Sequence, residues 1–200
     1  MKLEVRAAED RDLPEIKRQI DEYISPEYLS LPYLEEQLHR EGTLFYVMTD
    51  ADRDDRIVSY FYSYLSTLEE ALADLHARGK TPEALAGYAP RTLVGVYKTS
   101  STVREYQKLG ICSSFIRGVE PVMRERGAKM ILATAMRSPE GAVPMRQIFL
   151  GCGYSEIAEL IRPWESLDIY CIYCKRHHCV CDAVFYMKKI DETEKGDTCE

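Results

Sequence analysis

No stretch of this chain is apolar over the roughly 20 residues needed to cross a bilayer. The amino terminus lacks the long apolar core of a secretory leader, and charge begins at Lys2. These absences lead to the expectation of a cytoplasmic protein with no membrane partner. Positive charge is not in excess: 26 Lys and Arg stand against 33 Asp and Glu, a net charge of −7. That argues against nucleic acid as the main partner, while leaving room for a locally basic pocket. There is no Gly-x-Gly-x-x-Gly run, so a dinucleotide crevice is not expected. No internal repeat divides the chain. Seven cysteines are an odd number, and without a leader they argue against a fixed disulfide framework; reduced thiols are expected.

What is present suits one soluble domain: 200 residues, 46% apolar and 30% charged. The pattern predicts a single domain over residues 1–190. The charged tail, 191–200, is expected to be flexible. A first strand covers residues 3–6, and a helix entered through Leu13-Pro14 carries Ile16, Ile20, Tyr23 and Ile24 on one face. A second helix is expected over 31–40, then a hairpin of 43–48 and 56–65 around a polar tip. Residues 67–89 read as a helical insertion, with one helix over 68–79 and a fragment at 83–85. Gly79, Pro82, Gly87 and Pro90 punctuate it. It would be a lid, a partner surface or plain surface.

The most informative stretch follows the strand expected over 92–103. It is Glu105-Tyr106-Gln107-Lys108-Leu109-Gly110-Ile111-Cys112-Ser113. After it, Ile111, Phe115, Ile116, Val119, Val122 and Met123 fall on one side of a helix. A strand that breaks at a glycine turn and opens a helix gathers unpaired N–H groups at one point, which suits phosphate oxygens. An ordinary connection, whose glycine only relieves strain, has the same local pattern. A strand over 129–135 completes a parallel crossover unit. Beyond it come a short helix over 142–150, a strand over 154–161, and extended segments over 169–174 and 183–190.

This order of elements, with Gln107-Lys108-Leu109-Gly110-Ile111-Cys112, resembles the GNAT superfamily of acyl-CoA N-acyltransferases over roughly residues 3–190. Gly127-Ala128-Lys129, Gly153-Tyr154 and the Met-Lys-Lys near the end of the last strand fit the same pattern. The resemblance implies an α+β fold of the α/β type: a mixed, mostly antiparallel sheet of about seven strands flanked by helices and splayed between the fourth and fifth. It also implies acetyl-CoA, or another short acyl-CoA, as cofactor. The pyrophosphate would meet Gln107, Lys108, Leu109, Gly110, Ile111, Cys112 and Ser113, and the pantetheine arm Thr102 and Val103. The implied reaction is acyl transfer to a primary amine, borne by a small molecule or a peptide. A homodimer stays open.

The chain departs from that pattern in its chemistry. Family members often place a Tyr four residues before the glycine of the sixth strand. Here the position is Phe149, which has no proton to give, and Ala142 stands where Asn is often found. The fourth strand offers no Glu or Asp as base, and Glu105 is expected to face solvent. Tyr60, Tyr62 and Tyr64 share one strand face and are the substitute phenols, although such a face more often forms core. A protein that binds acyl-CoA with little turnover is the alternative.

Cys171-x-x-Cys174, His177-His178 and Cys179-x-Cys181 form a second constellation. Cys and His are zinc ligands, and a metal-linked interaction module centred on 171–181 is a further alternative. One-residue spacing in the second pair is not the usual zinc pattern, and small buried thiols are common in sheets. No metal is favoured here. Four reduced thiols at Cys171, Cys174, Cys179 and Cys181 are the expectation.

Overall fold

The computed structural model describes residues 2–77 and 82–190. Seven strands form one sheet in the order β1-β2-β3-β4-β5-β7-β6. They are β1 (Leu3–Ala7), β2 (Thr43–Asp50), β3 (Arg56–Thr67), β4 (Leu93–Thr102), β5 (Met130–Arg137), β6 (Ser155–Leu160) and β7 (Asp182–Lys189). Only β4 and β5 run parallel; the other neighbours are antiparallel. The mixed, mostly antiparallel sheet with flanking helices is therefore as expected. No helix among the described residues is long and apolar enough to cross a membrane.

The helices cover both faces. Those on one face are α1 (Leu13–Tyr23), α2 (Leu31–His39) and α3 (Leu68–Asp74). Leu13, Ile16 and Ile20 of α1, spaced three and four apart, join Leu34 of α2 and Leu68 and Ala71 of α3 against Tyr60, Tyr62, Tyr64 and Val96. The other face carries α4 (Ile111–Glu125) and α5 (Arg146–Gly151). There Ile111, Phe115, Ile116, Val119 and Met123 bury against Phe61, Tyr97 and Ile131. Each such side chain contributes about 1.5–3 kcal/mol by leaving water. Gly95 permits the close approach of α4, because a Cβ there would collide with Met123 Sδ.

The segment between β3 and β4 is part of the core. Leu68, Ala71, Leu75, Ala77 and Leu85 are all buried in it. Thr67 and Glu70 form a reciprocal cap that starts α3: Glu70 N–H donates to Thr67 Oγ1 and Thr67 N–H to Glu70 Oε2, each at 3.3 Å. That sets the helix direction and carries Asp74 to Lys98 of β4, with Nζ 2.9 Å from both carboxylate oxygens. The expected continuation of this helix to Gly79, and the tail 191–200, lie outside the described residues.

Two expectations need correction. The short helix begins at Arg146, not at 142, because Pro144 and the turn closed by Gly141 hold the preceding residues out of helix. Residues 169–174 do not form a strand. They enter a tight turn in which Cys171 bridges Arg176, and the next strand, β7, begins only at Asp182. A short apolar run with no alternating partner strand cannot decide between these outcomes.

Candidate active site

The β4–β5 ladder is short. Gly95, Val96 and Tyr97 pair with Ile131, Leu132 and Ala133, and pairing then stops, although both strands continue. The register of β4 against β3 also shifts here: Tyr62 faces Thr99 and Ser63 faces Tyr97, so Lys98 is the extra residue of a β-bulge. Side-chain contacts follow the bulge. Lys98 meets Asp74 and Thr99 meets Tyr60, both on the α1–α3 face, whereas Tyr97 and Ser100 meet on the α4 face. A bulged strand twists more strongly, and β4 turns away from β5 at that point.

A cleft of about 830 Å³ occupies the opening. Residues 97–102 of β4 form one wall and Thr134, Ala135 and Met136 of β5 the other. At one end lies the start of α4. Lys108 and Gly110 both adopt left-handed backbone, with φ of 64° and 78°. A Cβ on Gly110 would meet nothing within 4 Å, so the backbone there borders open space. The first bond within the α4 ladder is Ser114 N–H to Gly110 O, which leaves the preceding amides at the helix mouth. The turn is tied from behind. Tyr106 Oη donates to buried Asp50 at 2.6 Å, and the Gln107 side chain donates to Thr102 O at 2.9 Å. Glu105 is solvent-exposed, as expected, but it also pairs with Arg53 and Arg56 of the β2–β3 hairpin.

Of the nine residues expected at a cofactor, Thr102, Gln107, Lys108, Gly110, Ile111, Cys112 and Ser113 line the cleft. Val103 does not; it is buried under α4. Leu109 points outward and is 52% exposed. Tyr60, Tyr62 and Tyr64 are not brought to the cleft. They are buried, with Oη bonded to Thr99, Gln37 and Asp74, and burial pushes each phenol far above its ordinary range. Phe149 is fully buried among Tyr97, Tyr154 and Tyr186 and does not line the cleft.

Of the tyrosines that line the cleft, Tyr97 is the one placed where the strands part. Its Oη lies 2.5 Å from Ser100 Oγ and 3.9 Å from Cys112 Sγ. Burial, and then the neighbouring Cys112, hold this phenol well above its usual range, so it stays protonated. Burial likewise pushes the Cys112 thiol up, which removes the thiolate a nucleophile would need. Lys98 loses solvation by burial, but Tyr28 and Asp74 outweigh that loss and raise its pKa, so it remains a cation on the wall. The lining contains no His, Asp or Glu among the described residues.

Sequence reasoning missed the other end. Tyr23, Ile24, Ser25 and Tyr28 arrive from α1 and the turn after it. Trp164, Ile169, Cys171, Tyr173 and Cys179 arrive from the connection between β6 and β7. Ser25 Oγ donates to Tyr170 O at 2.5 Å and latches the two walls together. Periodicity puts Tyr23 and Ile24 on a helical face but does not say what that face meets, and the β6–β7 connection is irregular and carries no period.

No protein-family model and no curated protein sequence matches the chain. Solved structures do match its fold. Arabidopsis thaliana NAA60 in complex with a bisubstrate analogue superposes with a TM-score of 0.69 at 13% identity, covering 94% of this chain and 98% of that one. The ribosomal-protein-S18-alanine N-acetyltransferase of Escherichia coli gives 0.61 at 11% identity, covering 100% and 99%. Chaetomium thermophilum Naa20 with a bisubstrate analogue gives 0.67 at 14%, covering 93% and 86%. The fold is that of the GNAT acetyltransferases.

Proposed function

We propose that this protein is an acyl-CoA-dependent N-acyltransferase, moving acetyl from acetyl-CoA to a primary amine. The observation that carries the reading is the early end of the β4–β5 ladder, which opens a cleft leading to the mouth of α4. Backbone amides there, freed of side-chain obstruction by Gly110, suit a pyrophosphate. The unpaired edge of residues 98–102 suits the amide-bearing pantetheine arm, which can add to it like a strand. Structures of the same fold contain acetyl-CoA, as in Arabidopsis thaliana NAA60, or bisubstrate analogues.

The thioester then lies near the point where the strands part. The amine of a small molecule or peptide enters from the Tyr28, Trp164 and Tyr173 end and attacks the carbonyl carbon. As the tetrahedral intermediate collapses, the C–S bond breaks, the departing sulfur gains a proton, and the newly acylated nitrogen gives up the proton it carries, to water or back to the donor, leaving amide and free thiol. Tyr97, kept protonated by burial, is the donor in this account, with Ser100 beside it. Without a carboxylate or imidazole in the lining, the amine must arrive neutral or lose its proton to water. Positioning then supplies much of the acceleration.

The absence of a carboxylate or imidazole from the described lining favours a second reading, in which acyl-CoA binds and turnover is slow. Free CoA released from acetyl-CoA, measured over a panel of peptide amino termini and small amines, separates the two. Amine-dependent release with acetylated product supports transfer. Binding by calorimetry with no release over the panel supports the second reading. Absence of binding contradicts both.

A further inference from the structure

The connection of residues 161–181, between β6 and β7, contains no helix or strand. Connections of this kind rarely exceed about 12–15 residues without something to hold them. It has almost no core of its own. Its buried residues are Cys171, Cys179 and Cys181, and the half-buried Cys174, Trp164 and Met136 pack against them. The Sγ atoms of Cys171, Cys174, Cys179 and Cys181 all lie within 4.8 Å of one another. The Cys171–Cys181 and Cys174–Cys179 pairs are each separated by 3.9 Å.

Those separations have a simple meaning. Tetrahedral zinc with Zn–S bonds of about 2.3 Å places its sulfurs roughly 3.8 Å apart. Among the described residues no other group of three or more His, Cys, Asp or Glu converges in this way. The surrounding backbone also fits. Cys171 N–H donates to Arg176 O at 2.9 Å and Lys175 N–H to Cys171 O at 2.8 Å, and Lys175 has a φ of 55°, which folds the first Cys-x-x-Cys pair into a knuckle. His177 and His178 turn away, to Asp168 and to Glu165 O, and so are not ligands.

We propose that Cys171, Cys174, Cys179 and Cys181 bind one zinc ion as a closed tetrathiolate site that holds residues 161–181 in place. Four S–H protons leave as four Zn–S bonds form, and the loaded site carries a net charge of −2, with Lys175 and Arg176 in the same turn. The site has no open position for substrate, so its role is structural: a metal replaces the missing apolar core of the loop. This reverses the sequence-based preference for four free thiols, and the convergence of all four sulfurs is the reason. The inference stands apart from the acyl-transfer reading.

The test uses the full chain, expressed with zinc in the medium and purified without chelator. Elemental analysis is expected to find close to one zinc per chain, and exchange into cobalt to give intense thiolate-to-cobalt charge transfer with tetrahedral d–d bands. A Cys174→Ser, Cys181→Ser double variant is expected to lose the metal. Chelation of the wild type is expected to open the loop to trypsin after Lys175 or Arg176. Trace metal with all seven thiols of the chain titratable, or with two disulfides among the four clustered cysteines, overturns the proposal. So does zinc retained in the double variant. If that variant is insoluble, the cobalt spectrum of the wild type decides, and a spectrum without sulfur charge transfer overturns the proposal.

Discussion

Tyr97 of β4 is the last residue on its strand to face a partner on β5, and that partner is Ala133. One residue later Lys98 bulges, and β4 parts from β5 to open the cleft. Tyr97 thus sits at the apex of the cleft while its ring is fixed edge-on to Phe61 and Phe149, 5.2 Å from each. A phenol locked in this way presents its hydroxyl in one direction.

Tyr97→Phe is expected to lower kcat about 10²-fold or more, the usual contribution of a placed proton donor, with little change in the CoA dissociation constant. The ring is retained, so packing is too. An unchanged kcat at saturating substrates would remove Tyr97 from the chemistry.

Gly110→Val is expected to weaken CoA binding at least about tenfold, or 1.4 kcal/mol. The branched side chain would occupy the space that is now open beside the backbone and would hold a β-branched residue at a φ of 78°. That conformation costs about 1–2 kcal/mol on its own, so the comparison is made by calorimetry on variant protein that melts cooperatively. Equal dissociation constants would show that phosphates bind elsewhere.

Phe149→Tyr separates family pattern from local packing. Phe149 is fully buried and lies outside the cleft lining. A hydroxyl added there finds an aromatic cluster, and an unsatisfied buried hydroxyl costs roughly 1–3 kcal/mol. The expected result is a lower urea midpoint with no gain in transfer rate. A variant that turned over faster at unchanged stability would mean that the ring reaches the thioester.

The limits of sequence reading have physical causes at particular residues. The turn from Gln107 to Ser113 was legible because its chemistry is local: a glycine, a helix start and an apolar stripe lie within a few residues. Tyr60, Tyr62 and Tyr64 share a face as period-two spacing requires, yet spacing alone does not say that α1–α3 cover this face. The bulge at Lys98 depends on register against β3 and leaves no mark in composition. The four thiols converge in a turn where Lys175 and His178 both adopt left-handed backbone, which a spacing rule built on strands does not anticipate.

Acid stability is expected to depend on Asp12. Burial would raise its pKa, but the Arg6 guanidinium, bonded at 2.6 and 2.8 Å, and the Glu9 amide at 2.8 Å outweigh it, so the folded pKa is lowered. A depressed carboxylate contributes stability that is present above its unfolded pKa, near 3.8. That contribution is lost as pH falls through the folded value. Asp12→Asn should therefore destabilise the protein at neutral pH and flatten the loss of stability on acidification. Parallel stability–pH curves for variant and wild type, from denaturant melts, would contradict this.

Amide hydrogen exchange with and without acetyl-CoA tests the central claim most directly, because the claim assigns the ligand to backbone groups. Saturating acetyl-CoA is expected to slow exchange at residues 110–113, at the mouth of α4, and along residues 98–102 of β4, while β1, β2 and α2 stay unchanged. Protection confined to other segments, or no protection at ligand concentrations that saturate enzymes of this fold, would contradict the assignment of the cleft between β4 and β5 as an acyl-CoA site.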